Sequence, residues 1–121
     1  MTRVLIVDDN SDSREMLRGL LELKNYEVQV AENGEEALRL QRTAPAHVVL
    51  TDLFMPDKDG METIRELSTE FPQTRIIAMS GVANYNVDYL SLALEFGAAK
   101  VLRKPFNAEL LFSALREILD R

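Results

Sequence analysis

The sequence has no cysteine and no tryptophan, a single histidine, four prolines and five glycines. Without cysteine there can be no disulfide, no thiolate metal site and no Cys nucleophile. Long apolar runs are also missing. The first, Val4 to Val7, stops at Asp8-Asp9. A secretory signal needs an apolar stretch about twice that length, and a membrane helix about 20 residues. The chain is therefore expected in the cytoplasm, with no membrane partner. Positive charge is scarce: 14 Lys and Arg stand against 20 Asp and Glu, a net charge of −6. That balance argues against direct nucleic-acid binding. What remains is ordinary for a soluble globular chain, with 46 % hydrophobic and 28 % charged residues. Its 121 residues suit one domain, read here as spanning 1–121.

Short apolar runs alternate with stretches of helical period. Val4–Val7, Val48–Leu50 and Ile76–Met79 are continuous, as strands buried on both faces should be. Glu27–Ala31 alternates polar and apolar, and Lys100–Arg103 is short with basic ends, so both read as edge strands. Asp12-x-x-Glu15 has the form of a capping box before Met16, Leu17, Leu20 and Leu21. Asn33 opens a second helix and Asn107 a fifth. The third carries Met61, Ile64, Leu67 and Phe71, and the fourth runs from about Asn86 to a stop at Gly97. In that fourth helix Tyr85, Tyr89, Leu92 and Phe96 form one apolar stripe. Val87, Leu90 and Leu94 form a second, which is expected to face the sheet. Five strands alternating with helices imply an α/β fold with a parallel sheet covered on both faces. With strands two and five at the edges, the order is 2-1-3-4-5, the flavodoxin-like arrangement, whose ligands sit beyond the carboxyl ends of the strands.

The residues that follow those ends are Asp8-Asp9, Thr51-Asp52, Ser80-Gly81 and Lys104-Pro105. One polar residue at a strand end is explained by solvent alone. Three carboxylates, a hydroxyl and an ammonium delivered to one edge by four separate loops are not. Neighbouring carboxylates repel and raise one another's pKa values, and a hard divalent cation relieves the repulsion. Oxygen donors without His or Cys suit Mg²⁺ or Mn²⁺. A metal beside a carboxylate and a lysine suits phosphoryl transfer, and an Asp can itself accept the group as an acyl phosphate. His47 precedes the third strand at the opposite end of the sheet, where a surface role is expected.

Taken in order, VLIVDDN, NGEEAL, VVLTDLFMPDKDG, IIAMSG, FGAAK and RKPF resemble a response-regulator receiver domain, the phosphoacceptor module of two-component signalling, over essentially the whole chain. The resemblance implies that Asp52 is the phosphoacceptor. Asp9 would bind Mg²⁺ directly, Asp8 would hold a metal-bound water, and the Phe54 carbonyl would add a ligand. Lys104 and Ser80 would contact the phosphoryl oxygens, and Lys104-Pro105 would be cis. The implied partners are a sensor histidine kinase or phosphotransfer protein, and downstream a protein or a second copy. The expected output face is the fourth helix, fifth strand and fifth helix, around Tyr85, Tyr89, Leu92, Phe96, Lys100 and Arg103. Two features depart from the family pattern. Val101 stands where an aromatic ring usually reports the movement of Ser80, and the segment from Ser80 to Gly97 is about two residues longer than in many receivers, so the loop before the fourth helix is expected to be longer.

Two competing classes fit less well. An Mg²⁺-dependent phosphohydrolase of the haloacid-dehalogenase type needs a second Asp two residues after the nucleophile, where Phe54 stands. A flavodoxin-like cofactor binder needs a phosphate loop after the first strand, where Asp8-Asp9-Asn10 has the wrong charge. The chain is accordingly expected to act as a signalling phosphoacceptor and not as an enzyme. Apolar Phe54 and Val82, two residues after Asp52 and Ser80, imply slow loss of the phosphoryl group.

Overall fold

The computed structural model describes residues 1–53, 60–80 and 87–119, with residues 87–90 at the backbone only. The elements are β1 (Arg3–Val7), α1 (Ser11–Leu23), β2 (Glu27–Ala31), α2 (Gly34–Thr43), β3 (Val48–Asp52), α3 (Gly60–Glu70), β4 (Arg75–Ser80), α4 (Val87–Phe96), β5 (Lys100–Arg103) and α5 (Ala108–Leu119). The strands form one parallel sheet in the order β2-β1-β3-β4-β5. The continuous apolar runs are the central strands, buried almost throughout, and the alternating run is the half-buried edge β2. None of the described helices is long and apolar enough to cross a membrane.

Because side chains alternate across the sheet, two cores result. One face carries Leu5, Val7, Ala31, Val49, Ile76 and Ala78 against α2, α3 and α4. The other carries Val4, Ile6, Val48, Leu50, Ile77 and Met79 against α1 and α5. The site thus rests on strands held rigidly from both sides.

Helix ends follow local chemistry. Asn33 and Asn107 cap α2 and α5 as expected, accepting from the backbone N–H of Glu36 (2.9 Å) and Leu110 (2.9 Å). The start of α1 differs from the reading. The cap is Asn10, whose Oδ1 accepts from Ser13 N–H at 2.8 Å, and Asp12 lies inside the first turn. Asn10 stands two residues nearer the end of β1, and the short β1–α1 connection favours the earlier start. α4 ends in a Schellman arrangement: Gly97 N–H donates to the Leu94 carbonyl and Ala98 N–H to that of Ala93. Gly97 has φ +129°, and a Cβ there would strike the Ser68 side chain. Only glycine suits both conditions.

In α4 the described side chains differ from the expectation at Leu94, while the side chains of Val87, Tyr89 and Leu90 lie outside the described residues. Ala93 is fully buried, Leu92 and Phe96 pack beside it on the core, and Leu94 is 47 % exposed. Small Ala93 lets the helix come close to the sheet, and Phe96 also lies under the Arg65 guanidinium, 4.2 Å from the ring centroid. Both stripes are apolar, so period alone did not choose between them.

Candidate functional site

Strand register assembles the site. Val7 pairs with Thr51, Asp52 with Met79 and Ser80 with Arg103. Asp8 therefore leaves β1 beside Asp52, and Lys104 leaves β5 beside the end of β4. Three backbone hydrogen bonds carry the ladder past the strand ends: Asp8 N–H to Ala31 (3.1 Å), Leu53 N–H to Met79 (2.9 Å) and Lys104 N–H to Ser80 (2.7 Å). The chain then leaves the sheet, and the side chains at these exits converge.

Carboxylate oxygens of Asp8, Asp9 and Asp52 lie within 4.8 Å of one another. Asp8 is fully buried and Asp52 8 % exposed, whereas Asp9 faces solvent. Lys104 Nζ donates to Asp52 Oδ2 at 3.1 Å and to Asp8 Oδ2 at 3.2 Å. Burial works against its charge. The attraction of Asp52 and Asp8, with the hydrogen bonds to both, outweighs that, and Lys104 titrates above the usual lysine range. Ser80 ends β4 at the same edge with 1 % exposure. The Lys104-Pro105 bond is cis.

Three convergent carboxylates, with no His or Cys among them, form a donor set for a hard divalent cation. The structure thus places Asp8, Asp9, Asp52, Ser80 and Lys104 at one edge. Phe54, Gly81, Val82 and Tyr85 lie outside the described residues, as does the extra length before α4. His47 is at the other end of the sheet, its Nδ1 accepting from Arg3 N–H at 3.0 Å.

Three neighbours of the site went unread in the sequence. Asn10 N–H donates to Asp8 Oδ1 (3.0 Å), Ser13 Oγ to Asp8 Oδ2 (2.8 Å), and Arg14 to the Asp8 carbonyl (2.8 Å). The one available signal was Asn10, a strong N-cap residue directly after Asp8-Asp9. Nothing in the spacing marked Ser13 or Arg14.

The model of the response regulator receiver domain matches residues 4–116. The chain belongs to this family. A receiver is also what its relatives contain. It is 36 % identical to the transcriptional regulatory protein CpxR of Klebsiella pneumoniae over 121 residues, all of this chain and 50 % of that protein. The response regulator MprA of Mycolicibacterium vanbaalenii is 35 % identical over 119 residues, covering 98 % of this chain and 51 % of that one. The receiver thus spans about half the length of these curated relatives. Among solved structures, the Vibrio cholerae chemotaxis protein CheY4 superposes with a TM-score of 0.90 at 30 % identity, covering 98 % of each chain. A receiver domain from Clostridium thermocellum gives 0.91 at 32 % identity, covering 100 % of this chain and 96 % of that one. The family membership supports a phosphoacceptor role in two-component signalling, and the fold is the five-stranded receiver sheet.

Proposed function

We propose that Asp52 is the phosphoacceptor of this receiver and that its phosphorylation depends on Mg²⁺ held by Asp8, Asp9 and Asp52, with the Phe54 carbonyl as a further ligand. The observation that carries the reading is the convergence of the three carboxylates with Lys104 bridging Asp8 and Asp52. Bound Mg²⁺ would neutralise charge on the transferring group and permit an anion to approach an acidic pocket. An Asp52 carboxylate oxygen attacks phosphorus in line. The P–N bond of a partner's phosphohistidine, or the P–O bond of acetyl phosphate, breaks as the acyl phosphate forms, and the departing group leaves with its electron pair. The Lys104 ammonium then exchanges its hydrogen bond to the Asp52 carboxylate for one to a phosphoryl oxygen. The Ser80 hydroxyl supplies a second donor.

The domain serves as a switch, not a turnover enzyme: it phosphorylates itself from a donor and loses the group slowly. A histidine kinase or phosphotransfer protein is its donor partner, and its setting is the cytoplasm. The new contacts of Ser80 and Lys104 bias the segment leading into α4 and the α4-β5-α5 face. Leu94 and Arg103 are exposed there, while Lys100 pairs with Glu117. That face would meet a downstream protein or a second copy.

Labelling with acetyl phosphate, followed on phosphate-affinity gels with Mg²⁺ or with excess EDTA, tests the metal requirement. Labelling is expected only with Mg²⁺. Equal labelling in EDTA would contradict it.

A further inference from the structure

Asp8 is the most deeply buried carboxylate of the cluster, and both of its oxygens are engaged. Oδ1 accepts from Asn10 N–H at 3.0 Å. Oδ2 accepts from Ser13 Oγ at 2.8 Å and from Lys104 Nζ at 3.2 Å. Ser13 uses two donors for two purposes. Its backbone N–H satisfies the Asn10 cap at 2.8 Å, which starts α1, and its hydroxyl is left free of the cap and reaches back five residues to Asp8. The start of the helix and the acidic cluster are thereby joined through one side chain.

Resting on the function proposed above, we infer that Ser13 is a positioning residue for Asp8 in the phosphorylation reaction. Lys104 is shared between Asp8 and Asp52 and is the group that turns to the phosphoryl oxygens. When it turns, Asp8 Oδ2 loses one of its two donors. The donor that remains is the Ser13 hydroxyl, attached to a helix that does not depend on phosphate. It keeps the Asp8 carboxylate in the rotamer that offers an oxygen toward Asp9 and Asp52. Without it Oδ2 of this buried carboxylate would rest, before phosphate arrives, on Lys104 alone, a donor it shares with Asp52, and would lose that donor too when Lys104 turns, so the carboxylate could swing away from the cation. A hydroxyl at this place therefore sets Mg²⁺ affinity, because groups that orient a ligand govern how well the set of donors holds its metal.

Calorimetric titration with MgCl₂, without phosphate donor, tests this on the wild type, Ser13→Ala, Ser13→Thr and Ser11→Ala. Ser11 is exposed in the same helical turn and controls for a change of hydroxyl to methyl in α1. Unfolding midpoints in EDTA confirm that each variant is folded. The expected Kd rises about ten-fold in Ser13→Ala, the low end for loss of a ligand-orienting group. Ser13→Thr, which keeps the hydroxyl, should return close to wild type, and Ser11→Ala should match it. Wild-type affinity in Ser13→Ala would overturn the inference and leave the phosphoacceptor reading standing, as would equal weakening in Ser13→Ala and Ser13→Thr. A wild type that binds no Mg²⁺ would overturn the inference together with the metal site beneath it.

Discussion

Asp9 is the exposed member of a trio whose other two carboxylates are buried, so its charge is the one that water screens best. Even so screened, two like charges at this separation repel by about 1 kcal/mol. Lys104 offsets part of the repulsion through Asp8 and Asp52 but makes no contact with Asp9 among its described hydrogen bonds. Asp9→Asn should therefore raise the thermal midpoint of the metal-free protein, a gain of about 1 kcal/mol, and abolish the stabilisation that Mg²⁺ gives the wild type. Scanning calorimetry in EDTA and in MgCl₂ reads both effects, and a lower midpoint in EDTA would speak against crowded charge at the site. The Lys104 ion pairs carry their own signature in pH. A lysine whose pKa is raised on folding adds stability that is fully present below its unfolded value and is lost as pH climbs through the folded one. The stability difference between wild type and Lys104→Met should accordingly hold through neutral pH and shrink only above the ordinary lysine value of 10.5. Urea unfolding across that range checks it. At this scale the principal side chains were legible, since Asp8, Asp9, Asp52, Ser80 and Lys104 follow strand ends that the strand order brings to one edge, and together they exceed what contact with solvent explains. Ser13 was not, because a serine inside a helix gives no sign of which partner its hydroxyl reaches.

Among the elements, α3 begins directly against the backbone at the end of β3. A Cβ at Gly60 would lie 2.5 Å from the Asp52 carbonyl oxygen and 2.5 Å from Leu53 Cα, while Gly60 N–H donates to the Leu53 carbonyl at 3.1 Å. The helix can begin here only without a side chain. Gly60→Ala must push against backbone, and it should cost roughly 1–3 kcal/mol in chemical unfolding, as overpacking does, and slow the labelling of Asp52. Unaltered stability would show that the Asp52 segment yields freely. On the far side, Arg42 ties α2 to α3 through Glu70, with contacts of 2.6 and 2.7 Å. The hydrogen bond to Arg42 holds the Glu70 carboxyl below its ordinary range. Whatever this exposed pair adds is present above that range and is lost as pH falls through the lowered value. Element types and order followed from the sequence because central strands buried on both faces read as unbroken apolar runs, and β2 did not. The face that α4 turns to the sheet did not follow. Leu92 and Leu94 are equally apolar, and it is small Ala93, through the close approach it allows, that decides.

On the scale of the whole molecule, signalling requires that phosphate favour one of two arrangements of the domain. Val101 is half-buried in β5, paired with Ala78, and packs on the core as an aliphatic residue. No ring stands at this position to swing inward, so on the function proposed above α4 and its neighbours would carry the signal. Arg65 and Gly97 hold the end of α4 against α3. Hydrogen exchange on the free and beryllofluoride-bound forms should show changed protection in residues 87–96 and little change in α2. A change confined to residues 34–43 would place the output elsewhere. All of this depends on where the phosphoryl group is attached. The decisive measurement is the intact mass of wild type and Asp52→Asn after Mg²⁺ and acetyl phosphate. The wild type should gain one phosphoryl group that hydroxylamine removes, and Asp52→Asn should gain none. A hydroxylamine-labile group retained by Asp52→Asn would contradict the account.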